Sequence, residues 1–144
     1  MRALFDINVM IALLDPDHIF HERAHVWWDA NRSEGWSSCP LTENGVVRIM
    51  SNPSYSRQLR LTPEELILRI TEFASRTNHE FWADDVSVRD ALVFDRTRCH
   101  SSRLLTDIYL LGLTVKHGGQ LVTFDEGIPL SAVRLATAEH LVVL

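Results

Sequence analysis

Short apolar segments alternate along this chain with longer stretches in which apolar residues recur at helical spacing. A short apolar segment is typical of a buried strand, whereas a longer periodic stretch is typical of an amphipathic helix. Regular alternation of the two indicates an α/β protein in which helices cover a largely parallel sheet. The five predicted strands are Ala3–Phe5, Trp36–Cys39, Phe81–Ala83, Gln120–Phe124 and Leu141–Val143.

Helices are predicted in the intervals between these strands. The clearest start is at Thr62, which can cap a helix, while Pro63 suits the first helical position and Glu65 completes a capping box. This helix is predicted to end near Arg76. The other predicted helices cover Asn8–Leu14, about Phe20–Ala30, and an apolar face from Leu104 to Val115 that Gly118-Gly119 ends.

Length and composition limit the architecture and the location. The chain has 144 residues, of which 46% are hydrophobic, enough for one core but not for two ordinary domains, so we expect one domain over residues 1–144. No apolar segment approaches the roughly 18 residues of a membrane span, and the opening lacks the apolar region of a signal peptide. A cytoplasmic protein without membrane association is therefore expected. Cys39 and Cys99 lack a metal-binding spacing, and we expect buried or loop thiols.

The segment from His21 to His25 reads HERAH and matches the His-Glu-x-x-His pattern, in which one helix face presents two imidazoles to zinc in a protease. Such a site needs a third protein ligand. The residues after His25 do not form the extended pattern with a glycine and a third histidine. We therefore expect an outer helix on which Glu22 and both histidines face solvent, while Trp27 and Trp28 face the core.

Acidic residues occur where three of the predicted strands end. Asp6 follows the first strand, Glu43 comes shortly after the second, and Asp125 follows the fourth. Asp107 lies near the start of the helix that precedes the fourth strand. Each has an ordinary explanation as a helix cap or a solvated helix residue. Because ligands of open parallel sheets bind beyond the carboxyl ends of the strands, we expect all four carboxylates to converge at one end of the sheet.

Converging carboxylates require a counter-charge. Two carboxylates about 4 Å apart repel by roughly 4 kcal/mol at an effective dielectric constant near 20. Oxygen ligands without histidine or cysteine favour Mg²⁺ or Mn²⁺, which often share a site with substrate phosphates. The pattern therefore predicts metal-dependent hydrolysis of a phosphodiester.

Four segments together resemble the PIN-domain nucleases and, within them, the VapC-type ribonuclease toxins of toxin-antitoxin pairs. They span nearly the whole chain in the family's order: Leu4-Phe5-Asp6-Ile7-Asn8-Val9, then Leu41-Thr42-Glu43 with the continuation Gly45-Val46-Val47-Arg48-Ile49, then Thr106-Asp107-Ile108-Tyr109-Leu110-Leu111, and Gly118-Gly119-Gln120-Leu121-Val122-Thr123-Phe124-Asp125. The resemblance implies a PIN-like three-layer α/β/α fold with a parallel five-stranded sheet. It also implies cleavage of RNA, a homodimer, and neutralisation by a small antitoxin whose peptide occupies the active-site groove.

By the same resemblance, Asp6, Glu43, Asp107 and Asp125 match the family's acidic quartet. Asp6, Asp107 and Asp125 are then expected to bind the metal directly or through water. Glu43 is expected to orient a water molecule on the metal.

Asn8 and Thr123 match positions that support the site in similar proteins. The resemblance implies that Asn8 can hydrogen-bond a ligand carboxylate, whereas Thr123 is either a supporting residue or an ordinary strand residue. The net charge of −5 argues against nucleic-acid binding through bulk electrostatics and suits a basic antitoxin segment.

RNA binding therefore needs a local positive surface. The loop 95–103 carries Arg96, Arg98 and Arg103 shortly before Asp107, where contacts to phosphates would position a strand beside the metal. The alternative is a loop that is merely solvated. His100 on this loop can contact RNA or assist leaving-group protonation, although a structural histidine is the expected role.

Three other functions compete. A haloacid-dehalogenase-like phosphatase would use a late acidic pair such as Asp84-Asp85, but Asn8 stands at its second early aspartate and Lys116 follows the pair instead of preceding it. We therefore predict that Asp84-Asp85 forms a turn at the sheet edge. A receiver-like binding domain would need a lysine shortly after Asp125, which the sequence lacks. A noncatalytic RNA-binding PIN domain would have no reason to keep the complete quartet.

Overall fold

A computed structural model describes all residues from Met1 to Leu144 as five strands and five α-helices, with short 3₁₀ turns between them. The strands are β1 (Ala3–Phe5), β2 (Trp36–Ser38), β3 (His79–Phe81), β4 (Gln120–Thr123) and β5 (Leu141–Val143). The helices are α1 (Ile7–Leu14), α2 (His21–Asn31), α3 (Pro40–Met50), α4 (Pro63–Arg76) and α5 (Leu105–Lys116).

The five strands form one sheet in the order β3-β2-β1-β4-β5, and every neighbouring pair is parallel. The predicted parallel five-stranded sheet is thus confirmed. Strand order reverses between β1 and β4, which makes their carboxyl ends the switch point where ligands of such sheets bind. Asp6 and Asp125 follow these two strands.

Helices cover both faces of the sheet. Leu4 and Phe5 are adjacent on β1 and point to opposite faces, as the pleat requires. Phe5 belongs to a core with α1, α2, α3 and α4, whereas Leu4 belongs to a second core with α5 and the segments around Phe94 and Val133. The architecture is therefore three layers, α/β/α, as the sequence resemblance implied.

The position of β3 differs from the prediction. The apolar run Phe81–Ala83 suggested a strand, but the paired residues are His79–Phe81, with His79 opposite Trp36. Because β3 lies at the sheet edge and its residues are half-buried or exposed, the strand tolerates polar side chains and apolar content does not mark its limits. The predicted strands Trp36–Cys39 and Gln120–Phe124 each end one residue earlier in the structure.

Helix ends follow the local chemistry that the sequence predicts. The Thr62 hydroxyl accepts from the Glu65 amide (3.2 Å) and the Glu65 carboxylate accepts from the Thr62 amide (2.7 Å), so the predicted capping box is confirmed. Gly118, with φ +65°, ends the turn after α5 in the left-handed region. No helix is long and apolar enough to cross a membrane.

The two cysteines are free thiols, as predicted. Cys39 is buried and Cys99 is half-buried in a loop. Burial raises the pKa of the Cys39 thiol to about 11, so it remains protonated and unreactive at neutral pH.

Candidate active site

Asp6 is the buried carboxylate at the centre of the site. It caps α1, with its Oδ1 accepting from the Ile7 amide at 2.6 Å, and the residue is only 6% exposed. Burial raises its pKa, the bonds from Thr123 and Ile7 oppose that rise, and the charge of Asp125 adds to it. Hydrogen bonds thus hold the Asp6 side chain in place, but no cationic side chain lowers its pKa.

Thr123 links Asp6 to the end of β4. Its hydroxyl donates to Asp6 Oδ2 at 2.9 Å and accepts from the Asp125 amide at 3.1 Å. Asp125 in turn accepts from the Gly127 amide at 2.7 Å. Of the two interpretations that the sequence left open for Thr123, these contacts favour a supporting residue.

Asp107 lies in the first turn of α5, on the opposite side of the switch point from α1. Burial, then the charges of Asp6 and Asp125, raise its pKa to about 6, and Arg103 acts in the opposite direction. The three aspartates therefore act on one another electrostatically, although they come from a strand end, a helix and a loop.

Glu43 is held by a relay of side chains and not by the aspartates. Ser38 Oγ donates to Glu43 Oε1. Because the carboxylate can only accept, the hydroxyl proton is committed to it, and Ser38 Oγ accepts the second bond, of 2.8 Å, from His79 Nε2–H. Burial lowers the pKa of His79, partly offset by the Glu43 charge, so its ring is neutral at pH 7.

The sequence predicted one convergent quartet, and the structure brings three of its members into mutual interaction. Glu43 does not contribute to the charge repulsion that acts on Asp6 and Asp107. No group of three or more His, Cys, Asp or Glu side chains has the geometry of a ready-made metal centre. The three aspartates thus present hard oxygen donors at the switch point, each from a different element of the chain.

The other sequence candidates fall into different positions. Arg103 is exposed and lies near Asp125 and Asp107, since its guanidinium approaches Gly127 and lowers the pKa of Asp107. Arg96 and Arg98 are exposed in the turn Arg96–Arg98. Neither of them lowers the pKa of Asp6 or Asp107, whereas Arg103 lowers that of Asp107.

Two sequence expectations do not hold. Asn8 is exposed on α1, and its side chain makes no hydrogen bond to a carboxylate, whereas Asp6 accepts from the Ile7 amide and Thr123. His100 is exposed on its loop, so it is not a buried structural histidine.

The pair Asp84-Asp85 lies in irregular structure after β3, and its role is larger than that of the predicted turn. Asp84 Oδ2 accepts from the Leu41 amide at 3.0 Å and Oδ1 accepts from the Tyr109 hydroxyl at 2.7 Å. Asp84 therefore joins the start of α3, two residues before Glu43, to α5, two residues after Asp107. No local pattern indicates this role, because both partners are distant along the chain.

Asp85 anchors the other end of α5. Its carboxylate lies 2.8 Å from Lys116 Nζ and 3.5 Å from His117 Nε2. Lys116 ends α5, about 13 Å along the helix axis from Asp107. The lysine that a haloacid-dehalogenase-like phosphatase would need at its site is thus engaged elsewhere.

The histidines of the HERAH segment form hydrogen bonds with the neighbouring helix α1. His21 Nδ1 donates to the Ala12 carbonyl at 2.7 Å and His25 Nε2 donates to the Leu13 carbonyl at 3.1 Å. These carbonyls are in the last turn of α1, where a helix leaves acceptors unpaired. Both histidines are half-buried, so the expectation of a solvated face was wrong for them, while Trp28 is buried as expected.

Comparison with known proteins places this site in a family context. Residues 3–133 match the PIN domain family model. The chain is 47% identical over 145 aligned positions to Ribonuclease VapC44 of Mycobacterium tuberculosis, with 100% of both chains covered. It is 41% identical over 132 positions to Ribonuclease VapC39 of the same species, covering 92% of this chain and 94% of the relative.

A solved structure has the same fold. The crystal structure of DNA-bound VapBC from Salmonella typhimurium aligns with a TM-score of 0.55 over 86% of both chains, at 17% identity. At this identity the likeness concerns the fold alone.

Proposed function

This chain belongs to the PIN-domain family and within it to the VapC ribonucleases, and from this premise we propose that it is an endoribonuclease toxin. The proposed reaction is hydrolysis of RNA phosphodiester bonds at the carboxyl ends of β1 and β4. The observation that carries the proposal is the placement of Asp6, Asp107 and Asp125 together at the switch point of the sheet, where their charges raise the pKa of Asp107. Carboxylates that are costly to assemble without a cation are typical of sites that act on a polyanion through a metal ion.

We propose Mg²⁺ or Mn²⁺ as the ion and Asp6, Asp107 and Asp125 as its ligands, directly or through water. The donor set fits, because it contains only carboxylate oxygens and because Arg103 is the only cation that lowers the pKa of Asp107. When bound, such an ion supplies Lewis-acid polarisation of the phosphodiester.

The residues of the chain would position the reacting groups. Thr123 fixes Asp6 and the backbone of Asp125 together. Ser38 occupies Glu43 Oε1, which leaves Oε2 to accept a hydrogen bond from the attacking water and later its proton. Arg103 can contact the phosphate and offset its charge near Asp107.

The test is cleavage of total RNA by the purified protein with Mg²⁺ or Mn²⁺, with EDTA in excess, and beside Asp107→Asn prepared identically. We expect metal-dependent cutting that is lost in the variant. Equal cutting by both proteins would overturn the assignment of the site. Cutting that persists in EDTA would overturn the role of the metal.

We further propose that a small antitoxin covers the groove between α3 and α4, and that the active chain is a homodimer. The groove has a volume of about 850 Å³, begins at Glu43 and His79 and has mainly apolar walls. Ile67 and Phe81 on its walls are 55% and 54% exposed. Exposed apolar side chains beside an acidic residue suit an amphipathic segment with a basic side chain directed at Glu43.

Purification from the natural source tests both proposals, with mass spectrometry to identify a small bound protein and light scattering to give the assembly. Ile67→Asp should release the small protein without reducing RNA cleavage. Retention of the partner by this variant would place the antitoxin elsewhere, and a monomeric mass would refute the homodimer.

A further inference from the structure

A second cavity, about 550 Å³ in volume, lies on the outer side of α5 and is lined by three arginines from three separate segments. Arg89 comes from the turn after β3, Arg96 from the turn Arg96–Arg98, and Arg134 from the segment between β4 and β5. Arg89 and Arg134 lie outside the loop 95–103 and were not recognised in the sequence. We propose that this cavity binds the phosphodiester backbone of the RNA at a distance from the bond that is cut, an inference that rests on the proposed ribonuclease function.

The cavity is built by the fold and not by a loose loop. The Asp95 amide donates to the Ala132 carbonyl at 2.9 Å, and the Arg134 amide donates to the Val93 carbonyl at 2.9 Å. These bonds flank a bridge between Phe94 and Val133. Two of the arginine-bearing segments are therefore paired with each other.

Phe94 forms the floor of the cavity and is 2% exposed. It packs so closely on α5 that a Cβ at Gly112 would overlap its ring. The Arg134 guanidinium also donates through Nε to the Ala91 carbonyl, which fixes its stem. The cavity thus has a fixed floor and one arginine, Arg134, whose side chain is held in place, which reduces the ordering needed when an anion binds.

Charge favours an anion in this region although the whole chain is acidic. Residues 88–103 with Arg134 contain five arginines and two aspartates, a net charge of +3, whereas the chain carries −5. Neither Arg89, Arg96 nor Arg134 has a carboxylate within 4.0 Å. Guanidinium groups of this kind bind phosphate oxygens in pairs of parallel hydrogen bonds.

Asp95 is the carboxylate in the cavity wall, and its acceptors are partly used. It accepts from the amide and the hydroxyl of Thr97, at 3.0 and 2.6 Å. The bonds from Thr97, and then the charges of Arg134 and Arg98, lower its pKa. Asp95 therefore holds the turn and reduces the positive charge of the cavity without cancelling it.

The cavity is connected with the active site along the chain. The segment from Arg96 to Arg103 ends beside Asp107 and Asp125, and seven residues span at most about 25 Å when extended. Stacked nucleotides rise by about 3.4 Å each, so a strand of several nucleotides bridges this interval. Arg98 and Arg103 belong to this segment, so cationic side chains continue along the chain from the cavity towards the aspartates.

The salt dependence of RNA binding tests the proposal. We would titrate a labelled single-stranded RNA of about 20 nucleotides with the protein in EDTA, at several KCl concentrations, and compare wild type with the double variant Arg89→Gln/Arg134→Gln. The matched control is Arg57→Gln/Arg76→Gln, which removes the same charge at exposed positions elsewhere.

Each lost phosphate contact lowers the slope of log K against log salt by about 0.7 for a single strand. We expect the Arg89/Arg134 variant to lose about 1.4 in slope and about 25-fold in affinity at 0.1 M salt. Lysine at both positions should restore the slope, because the charge is kept.

Equal slopes for the two glutamine variants would overturn the proposal. Cleavage at saturating RNA, measured with Mg²⁺ in the same preparations, separates this outcome from failure of the proposed function. An unchanged slope with intact cutting refutes only the cavity, whereas absence of cutting in wild type refutes the ribonuclease assignment.

Discussion

Replacing Asp107 with asparagine should make the metal-free protein more stable at neutral pH, although it removes a proposed metal ligand. The reason is the cost of ionising Asp107 in the folded state. Burial and the charges of Asp6 and Asp125 raise its pKa from the ordinary value of 3.8 to about 6. Asparagine has a similar shape and carries no charge, so this cost disappears.

The size and the sign follow from the linkage between protonation and folding. A pKa that is raised from 3.8 to about 6 corresponds to about 3 kcal/mol at 1.36 kcal/mol per pH unit. Solvent screening at this half-buried position reduces the expected value to about 2 kcal/mol. Because the folded state holds the proton more tightly, the cost is absent below about pH 3.8, grows as the pH rises through about 6, and is complete above pH 7.

Urea unfolding in EDTA at about pH 4 and at about pH 7.5 measures the effect. We expect Asp107→Asn to exceed wild type by about 2 kcal/mol at the higher pH and to match it at the lower pH. Asp29→Asn on the exposed side of α2 is the matched control and should change little at either pH. Mg²⁺ should raise the stability of wild type more than that of the variant, because it binds only the folded state.

Two results would contradict this prediction: an Asp107→Asn variant that is no more stable than wild type at pH 7.5, or a difference that persists at pH 4. Either result would mean that the carboxylates do not repel one another in the folded protein. The measured difference also includes a lower free-energy cost of ionising Asp6, since Asp6 and Asp107 interact and their effects are not additive.

Three further predictions concern residues around the aspartates. Ser38→Ala removes the donor that holds Glu43, so kcat should fall about 10-fold, the equivalent of about 1.4 kcal/mol, with KM unchanged in steady-state cleavage assays. Asp84→Asn should lower kcat and should also lower the unfolding free energy by about 1 kcal/mol. Asp85→Asn, which breaks an exposed ion pair, should leave kcat unchanged. Equal kcat in the two variants would exclude a positioning role for Asp84. His21→Ala should reduce the unfolding free energy by about 1 kcal/mol and retain full RNA cleavage, and loss of cleavage would return the HERAH segment to consideration as a metal site.

The sequence predicts the elements whose signals are local. The cap at Thr62, the helix it starts, the buried strands β1 and β4 and the half-buried strand β5 depend on neighbouring residues, and they occur where predicted, within one residue at the end of β4. The edge strand β3 was displaced by two residues, because an edge strand is defined by its partner β2 and not by its own apolar pattern.

The residues of the candidate site also divide into those that the sequence predicts and those that it does not. Asp6 and Asp125 could be found from strand ends, because parallel strands all deliver their following residues to one edge of the sheet, and Asp107 from its place near the start of the helix before β4. Ser38 and His79 could not, since one is a small polar residue in a buried strand and the other lies 41 positions away along the chain. A hydroxyl in this buried strand was not a sufficient signal, because the adjacent Ser37 hydroxyl is also buried and has no hydrogen-bond partner.

The position of Glu43 relative to Asp107 depends on how the two helical layers are aligned across the sheet. Helix α3 packs mainly in the core that contains Phe5, and α5 packs in the core that contains Leu4, which α3 reaches only through Leu41 in its first turn. The sheet separates them everywhere except beyond its carboxyl end, and there Asp84 hydrogen-bonds to both. A single carboxylate at the end of an edge strand therefore couples the residue proposed to orient water to the aspartates proposed to hold the metal.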